Sequence, residues 1–187
     1  MIYENQTLTQ EDFSLDEIIN IEFNDCTVSK CDFSENTFID CQFNNCIISD
    51  SNLSMSKLRN TQLNNVQFTN CKILGVDFSQ CPGFLFEVNF NDCILDFSSF
   101  ENLKMPNTDF IKSSLKGVDF VGTNLQKSRF SDTNLEGAIF ARTNLKEADF
   151  TTASNFTISP TENNLKKAIF TESNLSGLLL EFNLNII

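Results

Sequence analysis

The cysteines carry most of the reactive chemistry in this chain of 187 residues, and their spacing is regular. Cys26 and Cys31, then Cys41 and Cys46, form two C-x4-C pairs, with Cys71, Cys81 and Cys93 further on. Thiolates spaced along a chain can hold a metal or an iron–sulfur cluster. No C-x2-C accompanies the pairs, however, and seven is an odd count for a disulfide framework. Histidine is absent, which excludes Ser–His and Cys–His nucleophile pairs and imidazole metal ligands. Ser and Thr are numerous but have no such base to activate them, and neither phosphate-binding glycine motif occurs. The residues point to no enzyme, no cofactor and no metal, and give the cysteines another role.

That role follows from a period of five. Stepping by five from Leu8 through Phe13, Ile18 and Phe23 to Phe78 meets a large apolar residue at all 15 positions. A second frame, offset by two, runs from Leu85 through Phe90, Leu95 and Phe100 to Phe150 and scores 14 of 14. The offset implies a two-residue insertion within residues 79–84, where Pro82-Gly83 supplies a loop pair. A helix repeats about every 3.6 residues and a flat strand about every 2, so neither sustains a strict five. Two positions before each centre the residue is usually small: Cys26, Cys31, Ser51, Thr61, Thr108 and Ala148 are examples. A large and a small residue two apart share the inward side of a short extended segment. Asp or Asn often stands between them and faces water, and Asn, Asp, Gly or Lys follows at a turn. Each pentad is one extended side and one corner. All seven cysteines fall on the small inward position, with the members of each C-x4-C pair on adjacent faces. They read as buried, reduced thiols packed as small apolar groups, suited to a reducing cytoplasm.

This pattern, with residues 123–127 (TNLQK), 133–137 (TNLEG) and 143–147 (TNLKE) as its clearest copies, resembles the pentapeptide-repeat family. The resemblance covers residues 8 to 150 and more weakly the rest. It implies an all-β solenoid, a right-handed quadrilateral β-helix with four pentads per 20-residue coil and adjacent coils about 4.8 Å apart. Residue i then lies under residue i+20, so Phe110, Phe130, Phe150 and Phe170 form one inward stack. Neighbouring coils supply the stability and both ends need caps.

The rhythm breaks near residues 153–163, where Asn155 and Pro160 occupy the next two centres. Ser159-Pro160-Thr161-Glu162 reads either as a helix start with Ser159 as N-cap or as an irregular surface loop. Residues 1–170 are therefore the repeat domain and 171–187 a short helical cap. Thr171 is its expected N-cap, and Leu175, Leu178, Leu179 and Phe182 follow helical spacing. With Leu184 and Ile186 they offer more apolar surface than a lid needs, which favours a two-fold dimer interface. Residues 155–187 resemble the C-terminal part of gyrase-interacting members of the family, the Qnr and mycobacterial MfpA type. That resemblance implies a tail-to-tail homodimer forming an acidic rod similar to duplex DNA, occupying the DNA saddle of gyrase or topoisomerase IV. The large loops tied to quinolone protection in Qnr-type members are absent here.

The net charge of −12 repels nucleic acid as a direct partner. No apolar run is long enough to cross a bilayer, and residues 1–4 lack the basic start of a secretion signal, so a soluble cytoplasmic protein is expected. Asp12, Glu17, Glu22, Asp32, Asp77, Asp109, Asp119 and Asp149 are the expected acidic partner-facing residues. The acidity is uneven. Residues 1–93 hold 14 acidic and 4 basic residues, a net of −10, whereas residues 94–187 hold 11 and 9, a net of −2. A DNA-mimic interaction protein is the first functional reading. A β-helical scaffold for another protein, its charge serving solubility, is the alternative.

Overall fold

Bulky residues returning at every fifth position wind the chain into a four-sided parallel coil. The computed structural model describes residues 1–13 and 17–184. Its fold is the right-handed quadrilateral β-helix, with parallel pairing on every side. Face A carries the strands Ile2–Glu4, Glu22–Asn24, Gln42–Asn44 and Gln62–Asn64. Face B runs from Thr7–Leu8 through Thr27–Ser29, Ile47–Ser49, Val66–Thr69, Val88–Asn91 and Asp109–Ile111 to Arg129–Ser131. Face C is a chain of single bridges from Asp32 through Asn52, Lys72, Ile94, Ser114 and Asn134 to Ser154. Face D begins with Glu17–Ile19, Thr37–Ile39 and Lys57–Arg59 and continues through bridges from Asp77 to Ser99, Asp119 and Ile139.

The register is the expected one. Phe23 pairs with Phe43, and Phe110 with Phe130. The rings stack nearly parallel in columns: Phe68, Phe90, Phe110, Phe130, Phe150 and Phe170 lie 4.6–5.4 Å apart between centroids. A second column, Phe78, Phe100, Phe120 and Phe140, meets the first edge to face, as at Phe110–Phe120 (5.7 Å, 77°). Both arrangements suit the quadrupole of an aromatic ring. Where Leu53, Leu58 and Leu63 interrupt the aromatics, a void of about 10 Å³ remains between Phe33, Phe43 and Phe68.

The corners explain the turn residues. At most corners the residue two after the centre is left-handed, from Asn5 (φ 52°) and Asp25 (53°) to Gly117 (62°) and Lys167 (61°). Asn and Asp tolerate that region better than most side chains, and Gly meets no penalty there. Its N–H donates to the next coil, as Asp25 does to the Asn44 carbonyl at 2.9 Å. Many corners are braced by the Asp or Asn before the centre. Asp32 Oδ1 accepts from Ser34 N–H at 3.0 Å, and Asp119 Oδ1 from Val121 N–H at 2.8 Å.

The two-residue offset appears in the register, and one detail beside it departs from the reading of the sequence. The register across the insertion shifts from 20 to 22, since Leu58 lies one coil from Phe78 but Phe68 pairs with Phe90. Leu85, placed at the start of the second frame, is exposed and left-handed, and Phe86 is buried in its place. The inserted loop thus ends one residue later, and a shorter step carries Phe86 to Phe90. At the other break, Asn155 turns outward (φ 58°), and Phe156 and Ile158 fill the core where Asn155 and Pro160 could not. Residues 160–162 form a turn, so at Ser159 the loop alternative holds.

All seven cysteines are buried and unbridged. Burial pushes the Cys31 thiol up to about 11, with Asp12 adding to it, and burial likewise raises Cys41 and Cys81. Most inward Thr and Ser hydroxyls bond carbonyls as the thiols do, though Ser56 Oγ is buried without a partner among the described residues: Cys46 Sγ reaches Phe23 O at 3.4 Å, and Thr123 Oγ1 reaches Phe100 O at 2.8 Å.

Replacing Phe130 by Ala removes a fully buried ring from the middle of a stack, and we expect a loss of about 3–5 kcal/mol in denaturant unfolding. Phe170→Ala, at the half-buried end of the same column, should cost clearly less; equal losses would mean the column does not share its packing. Titration with a disulfide reagent at pH 8 should modify none of the seven thiols in the native protein and all of them in guanidinium.

Candidate interaction surfaces

The grooves are open, such as one of about 450 Å³ across Gln67, Thr69, Asn89, Asn91, Asp109 and Ile111 on face B. Among the described residues no group of acidic or thiol side chains is placed to hold a metal, and no helix is long and apolar enough to cross a membrane.

The eight acidic residues expected to meet a partner are spread over all four faces. Glu22 lies on face A; Asp109 and Asp149 on face B; Asp12 and Asp32 on face C; Glu17, Asp77 and Asp119 on face D. Most are occupied. Asp32, Asp77, Asp119 and Asp149 accept the backbone N–H two residues on, bracing their own corners. Asp12 Oδ2 accepts from Thr9 N–H at 2.7 Å in a capping box. Glu22 Oε1 accepts from Asn24 at 2.9 Å. Asp109 is gripped by both arms of Arg129, which raises the Arg129 pKa further. The Ser34 hydroxyl and N–H hold Asp32 below its usual carboxylate range. Asn side chains form ladders too, as Asn24, Asn44 and Asn64 do on face A and Asn124, Asn144 and Asn164 further along it.

The C-terminal cap is a 3-10 helix, Glu172–Leu178, followed by a short turn of the same kind, Leu180–Phe182. Thr171 is its N-cap, and its N–H donates to Asn174 Oδ1 at 3.0 Å. The helix lies close across the end of the solenoid. Gly177 lies against Phe156, and the Ile158 N–H donates to the Gly177 carbonyl at 3.0 Å. Leu178 packs onto the core and Leu179 is half-buried, so both serve the lid. Leu175, Phe182 and Leu184 stay exposed, joined by Leu180, which helical spacing did not mark. Ile186 lies outside the described residues. Three residues per turn, rather than 3.6, rotate Leu180 outward and Leu178 in.

Comparison with known proteins reports on the fold. The family described as pentapeptide repeat region matches residues 3–82 and 84–150. Among curated proteins none matches the sequence. Of solved structures, one of QnrB1, a plasmid-mediated fluoroquinolone resistance protein, has a TM-score of 0.66 at 18% identity and covers 100% of this chain and 99% of that one. Its full-length form gives 0.65 at 17%, with 98% and 100% covered. HetL, a pentapeptide repeat protein involved in heterocyst differentiation regulation in the cyanobacterium Nostoc, gives 0.52 at 15%, with 90% and 82% covered.

A Cβ on residue 177 would sit 2.5 Å from the Phe156 carbonyl oxygen and 2.6 Å from its ring. Gly177→Ala should therefore lift the cap, at a cost of about 1–3 kcal/mol. Hydrogen exchange should show faster exchange at Ile158 N–H while the amides of Phe110 and Phe130 stay protected.

Proposed function

The chain belongs to the pentapeptide-repeat family, and from that we propose that it acts without catalysis, as a rigid acidic rod that docks on gyrase or topoisomerase IV in the cytoplasm. The observation that supports this most is the end-to-end match with QnrB1, cap included, which extends beyond the repeats common to the whole family. The acidic N-terminal coils, net −10 over residues 1–93, supply the negative field a DNA-binding surface would meet. A homodimer formed tail to tail through Leu175, Leu180, Phe182 and Leu184 would double the rod and set its acidic tips apart.

One observation favours the alternative, a scaffold for some other protein. Most of the expected acidic contacts are committed to corners, a capping box or Arg129, and the coils past residue 94 are nearly neutral.

A supercoiling assay separates the two. Added protein should inhibit supercoiling at micromolar levels, or relieve quinolone inhibition, and Glu17→Lys with Asp32→Lys should weaken the effect. No inhibition and no relief leaves the scaffold reading.

A further inference from the structure

We propose that the C-terminal end of face A is a docking site for a short acidic segment of a partner protein. Face A changes character along its length. Glu4, Glu22 and Asp25 stand on its first coils and Glu87 at the inserted loop. Lys127, Lys146, Lys166 and Lys167 stand on its last three coils, with Glu147 among them. Glu147 is already held, by Lys127 at 3.8 Å and by Lys146 at 3.4 Å. Lys166 and Lys167 are exposed and have no ion-pair partner among the described residues. The flanks are closer to balance. Arg142 and Glu162 share the corner toward face D, and on face B Arg129 stands between Asp109 and Asp149.

Hydrogen bonding points the same way independently. Asn144 Nδ2 donates to Asn124 Oδ1 at 2.8 Å, and Asn164 Nδ2 to Asn144 Oδ1 at 2.9 Å. Each of the three Oδ1 atoms also accepts a backbone N–H two residues on, from Gln126, Lys146 and Lys166 at 3.2–3.3 Å. An amide oxygen has two lone pairs and its nitrogen two hydrogens. The oxygens of Asn124 and Asn144 are therefore fully used, while all three nitrogens keep a hydrogen for a ligand. Gln126 and one lone pair of Asn164 are the neutral side-chain acceptors left on these coils.

The backbone adds two donors. Within the solenoid the inward residue and the corner residue each donate to the coil above, as Leu145 N–H does to Asn164 O at 2.9 Å and Glu147 N–H to Lys166 O at 3.0 Å. On the last coil the same groups, Leu165 N–H and Lys167 N–H, have no acceptor among the described residues. Lys167 is left-handed there (φ 61°), and such upturned N–H groups favour anions.

Ammonium groups and N–H donors together select a ligand with several anionic oxygens. The three coils span about 10 Å, which is about three residues of extended chain. Two carboxylates on alternate residues of such a segment point to one side, one toward Lys146 and one toward Lys166, Lys167 and the open N–H groups. Duplex nucleic acid carries a charge about every 1.7 Å, denser than this patch, and would also meet the acidic coils of residues 1–93, net −10. The site uses neither those coils nor the apolar cap residues, so it stands whether or not gyrase is the partner.

Fluorescence anisotropy of the full chain with a labelled peptide of alternating Asp and Gly tests this at low salt. Binding should saturate, and Lys166→Glu with Lys167→Glu should weaken it about tenfold or more. Lys57→Glu with Arg59→Glu, on face D and likewise without ion pairs among the described residues, should leave it unchanged. In amide NMR the Leu165 and Lys167 signals should move on titration while that of Leu125, bonded within the ladder, stays. Absence of saturation, equal weakening by the face D variant, or still signals at Leu165 and Lys167 would each overturn the proposal. So would a single-stranded oligonucleotide or phosphatidylserine vesicles binding these lysines more tightly than the peptide, which would assign the site to a phosphate ligand.

Discussion

The whole molecule depends on one match of lengths. Parallel backbone hydrogen bonds set the coils about 4.8 Å apart, and flat rings stacked face to face want nearly the same separation. Here they sit 4.4–5.5 Å apart within their columns. The ladder and the ring stack therefore satisfy each other at every coil, and neither strains the other. A helix or an open sheet could not present the same side chain to itself at a constant short interval. This is why the chain holds 20 Phe and no Trp, whose larger ring would overfill a square of this size. Where Leu takes the inward place, the fit loosens and a small void appears.

The second column type answers a different need. A corner tight enough to turn a four-sided coil leaves little room beside it, so the inward residue there is small. It also leaves carbonyls that a short donor can reach. Cys41 and Cys71 thiols and Thr123 and Thr143 hydroxyls all donate to a carbonyl one coil back. Cysteine and threonine are thus alternatives for one geometric task. That accounts for seven unbridged thiols better than any redox or metal role, because each sulfur is buried and reaches a carbonyl one coil back or two residues earlier.

The inward pattern was legible in the sequence because it is periodic and chemically one-sided: size alone separates Phe from Cys, and position alone separates core from corner. The exceptions were not legible for the same reason. Phe86 and Phe156 each follow a residue that the period nominates, Leu85 and Asn155, and only the loop geometry decides which of two neighbours turns in. The outward residues have a second role that the period does not show. Asp and Asn before each centre looked like solvated surface, yet many of them hold the corner's N–H, a local bond that carries no period of its own. An acidic residue in such a chain is first a turn device and only then a charge for a partner. Face A is a further case, since a charge division along one side becomes visible only when the coil length converts sequence distance into height.

That conversion also explains why a short insertion matters more here than in a globular fold. In a solenoid each face is a column of every fourth pentad, so a surface is written across the whole chain and read one coil at a time. Two extra residues cost little in loop entropy, and the ladder resumes at Val88 without losing a hydrogen-bonded coil. What changes is the surface: Phe84 and Leu85 stand out from one face, at one height, with the acidic coils below and the lysine-bearing coils above. The core tolerates the change because Phe86 supplies the ring that the column requires. Function in such a molecule can therefore be altered at the surface by insertions and charge exchange while the axis stays filled.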